Sequence, residues 1–414
     1  MPSATPLQQH RDDHGRGPRG RGLTIRAVEP FALWVPTRPA STVWTHVRIT
    51  TEEGLVGLGE GIGTPGPICA AIRYFGNSLV GQSAWDIERL WVAMYRATEF
   101  TRGGATQAAI SAIDIALWDL VGQKTGLPVY ALLGGRVNQR VPIYHHPWDE
   151  VGDAEAFREG RLRQGYREAT QAMVAEGIIA GKLDPFPHEP GFNREISPWA
   201  LRYAADIIEQ IREGGGPDFK LCVELHARFN VASALRIAEA LAPYRPFWIE
   251  EPVAPESMAE TREVQRATSI PVATGERFYQ RVDFRDALEQ RICRIIQPDI
   301  AHVGGISEMH KIAALADAYY VTVAPHEWNG PVTLMAGAHV GAAMPNLLMH
   351  EYHIQLKGVL EETMPDGYAY DPQFVDVPEI PGIGVHFSEA FIREHRIDPD
   401  SWGAPGFGGR VRMG

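Results

Sequence analysis

Apolar and polar positions alternate through Thr42-Val-Trp-Thr-His-Val-Arg-Ile-Thr50, the period of a half-buried strand. Glu53-Gly54 marks a tight turn, and Leu55-Val-Gly-Leu-Gly-Glu60 continues the sheet. From about residue 67 to 133 the period lengthens. Ile110, Ile113, Leu117 and Leu120 recur at three- and four-residue intervals, which predicts a helix over 108–120 with one apolar face. Strands followed by helices indicate an α+β domain. From about residue 141 short apolar runs alternate with helical stretches. Their ends fall near His145, Asp184, Glu224, Glu250, Glu276, Asp299, His326 and Glu351. These eight strand–helix units predict a (β/α)8-type barrel of roughly 220 residues, with its active site at the C-terminal strand ends. The expected division is a flexible tail over 1–22, an α+β domain over 23–138 and the barrel over 139–358. The segment 359–414, with Asp366-Gly367 and Pro381-Gly382-Ile-Gly384, is expected to return to the first domain as loops.

A chain of 414 residues is long enough for a barrel plus a second domain. Hydrophobic content of 44% with 22% charged residues reads as soluble and globular. The net charge of −12 argues against a nucleic-acid partner, since no basic stripe follows the Arg- and Gly-rich residues 10–22. Cys69, Cys222 and Cys293 lack metal-binding or redox spacing, as expected of buried thiols in a reduced cytoplasm. No apolar run is long enough to span a membrane: 331–348 comes nearest, and His339 and Pro345 interrupt it.

Three of the strand ends are glutamates at equal intervals. Glu224, Glu250 and Glu276 close Leu221-Cys-Val-Glu224, Phe247-Trp-Ile-Glu250 and Pro271-Val-Ala-Thr-Gly-Glu276, and both gaps are 26 residues. Burying carboxylates is costly unless something neutralises them, and a converging set of oxygens suits Mg2+. Glu251 follows Glu250, and strand alternation lets only one of the two face the barrel mouth. Asp299 and His326 end neighbouring strands. A carboxylate there can fix the imidazole tautomer and raise its basicity, making His326 a general-base candidate. Lys182 and Asp184 share a strand face. Lys182 can neutralise a substrate carboxylate or an enolate, while Asp184 can orient Lys182 or bind a hydroxyl. His226, two residues beyond Glu224, can protonate a leaving hydroxyl. Glu351, if protonated, can hydrogen-bond a substrate carboxylate. Arg228, His145, His146 and Trp148 are candidate substrate contacts at the mouth, and His350 is a weaker one. Gly61-Ile-Gly63-Thr-Pro-Gly66 fits a dinucleotide-binding GxGxxG, but no second parallel strand with an acidic residue follows. It is expected to be a loop reaching over the barrel mouth.

These residues resemble the enolase superfamily, in its mandelate racemase subgroup, over about residues 24–390. The resemblance rests on the 26/26 spacing, Glu250-Glu-Pro252, Gly275-Glu276-Arg277, Pro298-Asp299 with Gly304-Gly305, and Pro325-His326. The helix over 108–120 with Gly126-Leu-Pro128 and Leu132-Leu-Gly-Gly135 is similar to the family's capping-domain signature. Arg102-Gly-Gly104, Lys182-Leu-Asp-Pro-Phe186 and Glu224-Leu-His-Ala-Arg-Phe229 look most like the gluconate/galactonate-type acid-sugar dehydratases. The resemblance implies Mg2+ on the three glutamates, His326 as base, His226 as the acid expelling a 3-hydroxyl, a sugar-acid substrate and a dimer or octamer. There are departures. The first metal ligand, commonly Asp, is Glu224. The Lys-x-Lys of racemases is Lys182-x-Asp184, which removes one base of a two-base racemisation. The segment Glu327-Trp-Asn-Gly330 differs from the galactonate form. The implied reaction is dehydration of an aldonate to a 2-keto-3-deoxy acid. The alternative is a racemase, epimerase or cycloisomerase on the same scaffold.

Overall fold

The computed structural model describes residues 22–36, 42–148, 151, 165–187 and 194–401. The expected tail over 1–22 lies outside them except for Gly22, as do 37–41 and residues 402–414 of the C-terminal segment. The N-terminal domain is an antiparallel sheet of β1 (Ile25–Val35), β2 (Thr42–Thr51) and β3 (Val56–Gly61), covered by helices Pro65–Leu79, Ile87–Ala97 and Gly104–Thr125. The last helix lies directly on β3. A Cβ at Gly57, Gly59 or Gly61 would come within 2.3, 1.8 and 2.6 Å of the carbonyl oxygens of Ala116, Ala112 and Ala108. Glycine at every second strand position, facing alanine at every fourth helix position, lets the two backbones touch. Gly61 of the apparent GxGxxG therefore serves packing. Gly63, with φ of +126°, then turns the chain into the helix that starts at Pro65.

The second half contains the strands β4 (Val141–His145), β5 (Ala180–Leu183), β6 (Lys220–Glu224), β7 (Trp248–Glu250), β8 (Val272–Thr274), β9 (Ile295–Ile296), β10 (Thr322–Val323) and β11 (His350–Tyr352). All pair in parallel, in the order β10-β9-β8-β7-β6-β5-β4-β11. A parallel bridge between Val323 and Leu347 joins the segment leading into β11 to β10 and closes the ring. Helices over Tyr166–Ala175, Pro198–Gly215, Val231–Leu241, Met258–Ala267, Arg281–Gln290, Gly305–Ala318 and Pro331–Ala342 separate the strands. No helix among the described residues is long and apolar enough to cross a membrane. The three cysteines are buried and unpaired.

The barrel interior holds one layer built from each strand region in turn: Tyr144, Ala180, Cys222, Trp248, Ala273, Ile295, Ala324 and Met349. Side chains repeat every second residue along a strand, so the next layer toward the mouth is His146, Lys182, Glu224, Glu250, Gly275, Gln297, His326 and Glu351. The apolar layer is the floor on which the polar one stands.

The C-terminal segment is more ordered than loops. It forms helices Lys357–Thr363 and Glu389–His395, and its strands β12 (Phe374–Val375) and β13 (Arg396–Ile397) pair antiparallel with β4 and β1. It crosses the barrel before reaching the N-terminal sheet.

Candidate active site

A cavity of about 450 Å3 opens at the barrel mouth. Lys182, Asp184, Glu224, His226, Glu276, His326 and Glu351 are its charged lining, and Ile62, His146, Trp148, Val151, Tyr166, Leu183 and Trp328 complete it. Ile62 brings the short connection 62–64, between β3 and the helix Pro65–Leu79, over the mouth.

Glu224, Glu250 and Glu276 each offer an oxygen within 4.8 Å of the others. Glu250 lies deepest. Its Oε1 accepts from Lys182 Nζ at 2.6 Å and its Oε2 from Trp248 Nε1 at 2.9 Å. Glu251 turns away, with φ of +41°, to pair with Arg277 at 2.5 Å. Gly275, at φ +138°, re-aims the chain so that Glu276 joins the cluster one residue beyond the regular layer. Lys182 is buried among carboxylates, 3.0 Å from Glu351 and 3.5 Å from Glu224. Burial disfavours its charge, but Glu250 and Glu351 outweigh this and raise its pKa well above the usual lysine value. Burial and Glu224 push Glu250 up to about 7. Glu224 Oε2 is buried without a hydrogen-bond donor. An all-oxygen, negatively charged cluster with an orphaned oxygen fits a hard cation such as Mg2+.

His326 Nδ1 lies 2.7 Å from Asp299 Oδ2, while Asp299 Oδ1 accepts from Ala301 N at 2.8 Å. The Asp299 contact leaves Nε2 facing inward, 3.6 Å from Glu276 and 3.9 Å from Glu351. Burial opposes protonation of His326, but Glu276, Glu351 and Asp299 overcome it and raise its pKa well above the usual value. His226 follows Glu224 in a left-handed turn with Ala227, at φ of +49° and +56°. Its Nδ1 lies 2.7 Å from Asp184 Oδ2. Burial pulls its pKa down, yet Glu224 and Asp184 carry it up to about 9.

Several residues stand differently from the sequence expectation. Asp184 does not orient Lys182: its oxygens accept from Arg228 Nη2 at 2.6 and 2.7 Å and from His226. Arg228 is thereby committed to Asp184 behind the cavity wall. Glu351 is surrounded by donors, Lys182 Nζ at 3.0 Å among them, so it is placed to accept rather than to donate. Burial alone would raise its pKa, but Lys182 and His326 hold it well below the usual range; it also accepts from Glu327 N at 2.7 Å and pairs with His146 Nε2. His145 faces away from the mouth, buried against Pro372 O at 2.8 Å, because strand alternation gives the cavity to His146. Trp148 lines the cavity and donates to Thr170 Oγ1 at 3.0 Å. His350 is buried beneath helix Pro331–Ala342, 3.2 Å from Leu334 O. Tyr144, Tyr166 and Trp328 were not anticipated. Tyr144 lies in the floor layer, and its ring centre is 5.6 Å from Lys182 Nζ. The period-2 step from His146 back to Tyr144 is the sequence signal for it.

Comparison with known proteins matches residues 23–134 to the mandelate racemase / muconate lactonizing enzyme N-terminal domain. Residues 165–391 match the enolase C-terminal domain-like family. The chain is similar to a D-gluconate dehydratase of Thermoproteus tenax, 33% identical over 387 residues, covering 91% of this chain and 75% of that one. It is 35% identical over 376 residues to a D-galactonate dehydratase of Variovorax paradoxus, covering 87% and 93%. Among solved structures, the 3,6-anhydro-D-galactonate cycloisomerase of Zobellia galactanivorans superposes with a TM-score of 0.78 at 28% identity, covering 91% and 100%.

Proposed function

Because the chain belongs to the mandelate racemase / muconate lactonizing enzyme family, with its enolase-like C-terminal domain, we propose that it dehydrates an aldonate to a 2-keto-3-deoxy acid. The carrying observation is that two carboxylate-bound histidines, His326 with Asp299 and His226 with Asp184, line one cavity beside the glutamate cluster. The relatives named as sugar-acid dehydratases support the substrate class.

In this reading His326 Nε2 takes the C2 proton, with Nδ1 held by Asp299. Lys182 stabilises the enediolate electrostatically. His226 gives its proton to the 3-hydroxyl, which leaves as water, and the enol tautomerises to the keto acid. Glu224, Glu250 and Glu276 would hold Mg2+. When bound, it would supply positive charge for the developing enediolate and offset the Glu276 field at His326. Asp184 stands where the Lys-x-Lys of racemases carries its second lysine, so a two-base racemisation lacks one of its groups, which favours elimination.

The test is purified protein with Mg2+ against C5 and C6 aldonates and aldarates, detecting α-keto acid. His326→Asn is expected to lower turnover by about 10²–10⁴-fold while calorimetric Mg2+ binding persists. Unchanged turnover in that variant would remove His326 as the base. Deuterium entry at C2 from D2O without keto acid would move the reading to a racemase or epimerase.

A further inference from the structure

Glu60, on β3 of the N-terminal domain, reaches across to the barrel and is fully buried. Its Oε1 accepts from Gly330 N at 2.7 Å and its Oε2 from Thr333 N at 3.1 Å. These donors open helix Pro331–Ala342, where N–H groups lack intrahelical partners. Burial pushes Glu60 up to about 7, and the two main-chain donors at the helix N-terminus oppose that by favouring its ionised form. The approach is close: a Cβ on Gly330 would lie 2.7 Å from Glu60 Oε1 and 2.8 Å from the Trp44 ring.

A second carboxyl shares the site. Thr333 Oγ1 is 3.1 Å from Glu60 Oε2 and 3.0 Å from Glu327 Oε1, yet a hydroxyl has one proton to donate. Among the described residues neither carboxyl forms an ion pair with a lysine or arginine. His46 Nε2 is 3.8 Å from Glu60, but burial drives that imidazole down to about 3 and leaves it neutral. Two carboxyls bridged by one hydroxyl without a cation do not both ionise. Glu327 has one main-chain donor, Asn329 N at 2.8 Å, and its Oε2 is buried without a partner. The proton therefore belongs on Glu327, which donates to Thr333 Oγ1, which in turn donates to Glu60.

Between these anchors runs the segment 326–330. His326 and Trp328 line the cavity. Glu327 N donates to Glu351 Oε2 at 2.7 Å, and Glu327 O lies 2.6 Å from His353 Nε2. We propose that Glu60 is a positioning residue: its carboxylate, sharing one proton with Glu327 through Thr333, fixes the segment carrying His326 and Trp328 from the opposite domain. Its effect on turnover rests on the role assigned to His326 above; the shared proton does not.

The test uses E60Q, E327Q, T333S and T333V in the full chain with Mg2+, after thermal melting shows each folded. The infrared difference spectrum, wild type minus E327Q at neutral pH, is expected to show the C=O band of a protonated carboxyl. Its absence overturns the shared proton, and this arm needs no substrate. An amide at position 60 must oppose an N–H2 to a main-chain N–H whichever way it flips. E60Q is thus expected to lower kcat by about ten- to a hundredfold, with a smaller change in KM. E327Q retains a neutral donor and is expected to lose far less. T333S keeps the bridge and is expected to retain more activity than T333V. Equal losses in E60Q and E327Q, or a wild-type kcat in E60Q, overturn the positioning role.

Discussion

At Glu250 a proton and a cation compete for the same oxygens. Burial and Glu224 push this carboxyl up to about 7 in the metal-free protein, so the protonated form gains below that pH and the ionised form above it. A ligand carboxyl must be deprotonated to bind metal. Mg2+ affinity measured by calorimetry is therefore expected to fall as pH drops from 8 to 6, by up to about tenfold per unit below 7. An affinity unchanged across that range would show that no proton leaves Glu250 when the ion binds. The placement of Glu250 was legible because strand alternation lets only one of Glu250 and Glu251 face the mouth, and Glu250 keeps the 26-residue spacing to Glu224 and Glu276. The partner of Asp184 was not legible. It is set by the left-handed pair His226-Ala227, which swings His226 and Arg228 onto Asp184. No glycine marks that turn, and L-residues rarely adopt it.

At the scale of elements, the helix Gly104–Thr125 shows what periodicity captures and what it misses. Ile110, Ile113, Leu117 and Leu120 form an apolar face as expected and pack in the N-terminal core. An adjacent side is buried as well, and it carries polar groups aimed at the barrel. Gln107 Nε2 donates to Val303 O at 3.1 Å. Ser111 Oγ accepts from Gly304 N at 2.9 Å, and Asp114 accepts from Ser307 N and Oγ at 2.9 and 2.6 Å. A one-face pattern cannot distinguish a polar side that meets water from one that meets another domain. The contact with β3 is similar: three alternating glycines read as turn or nucleotide signals until the alanine row opposite them is seen. Gly59→Ala places a Cβ 1.8 Å from the Ala112 carbonyl oxygen, where backbone must move. It is expected to destabilise the fold by about 3 kcal/mol or more, read as a lower thermal midpoint. Gly358→Ala, on helix Lys357–Thr363 with nothing within 4 Å, is the control and is expected to be neutral or mildly stabilising. Equal midpoints for the two variants would mean that the strand–helix contact has slack.

At the scale of the molecule, one site is built from two domains and the C-terminal segment holds them in register. The recurrence of strand ends made the barrel legible, and the return of the chain was expected. Its route was not, because β12 and β13 are only two residues long and too short to leave a period. That route stitches successive layers. Pro372 O meets His145 at 2.8 Å, β12 pairs with β4, and Ile383 N donates to Asp119 Oδ1 at 3.0 Å. Gly382 O accepts from Val129 N at 3.0 Å, and Phe387 packs edge-on against His46, which stacks on Phe31. Finally β13 covers the open edge of β1. A chain ending at residue 371 would retain every proposed catalytic group, since the last of them is Glu351. It would also expose the edges of β4 and β1, remove the Ile383 N donor from Asp119 Oδ1, leaving Leu58 N and Gln123 Nε2 on Oδ2, and uncover the aromatic stack beside Glu60. Unpaired buried groups and open strand edges both cost stability. The truncated chain is therefore expected to melt well below the full chain and to lose turnover, although its active-site sequence is intact. A truncated chain with the full-length melting temperature would show that the two domains hold their register without this segment.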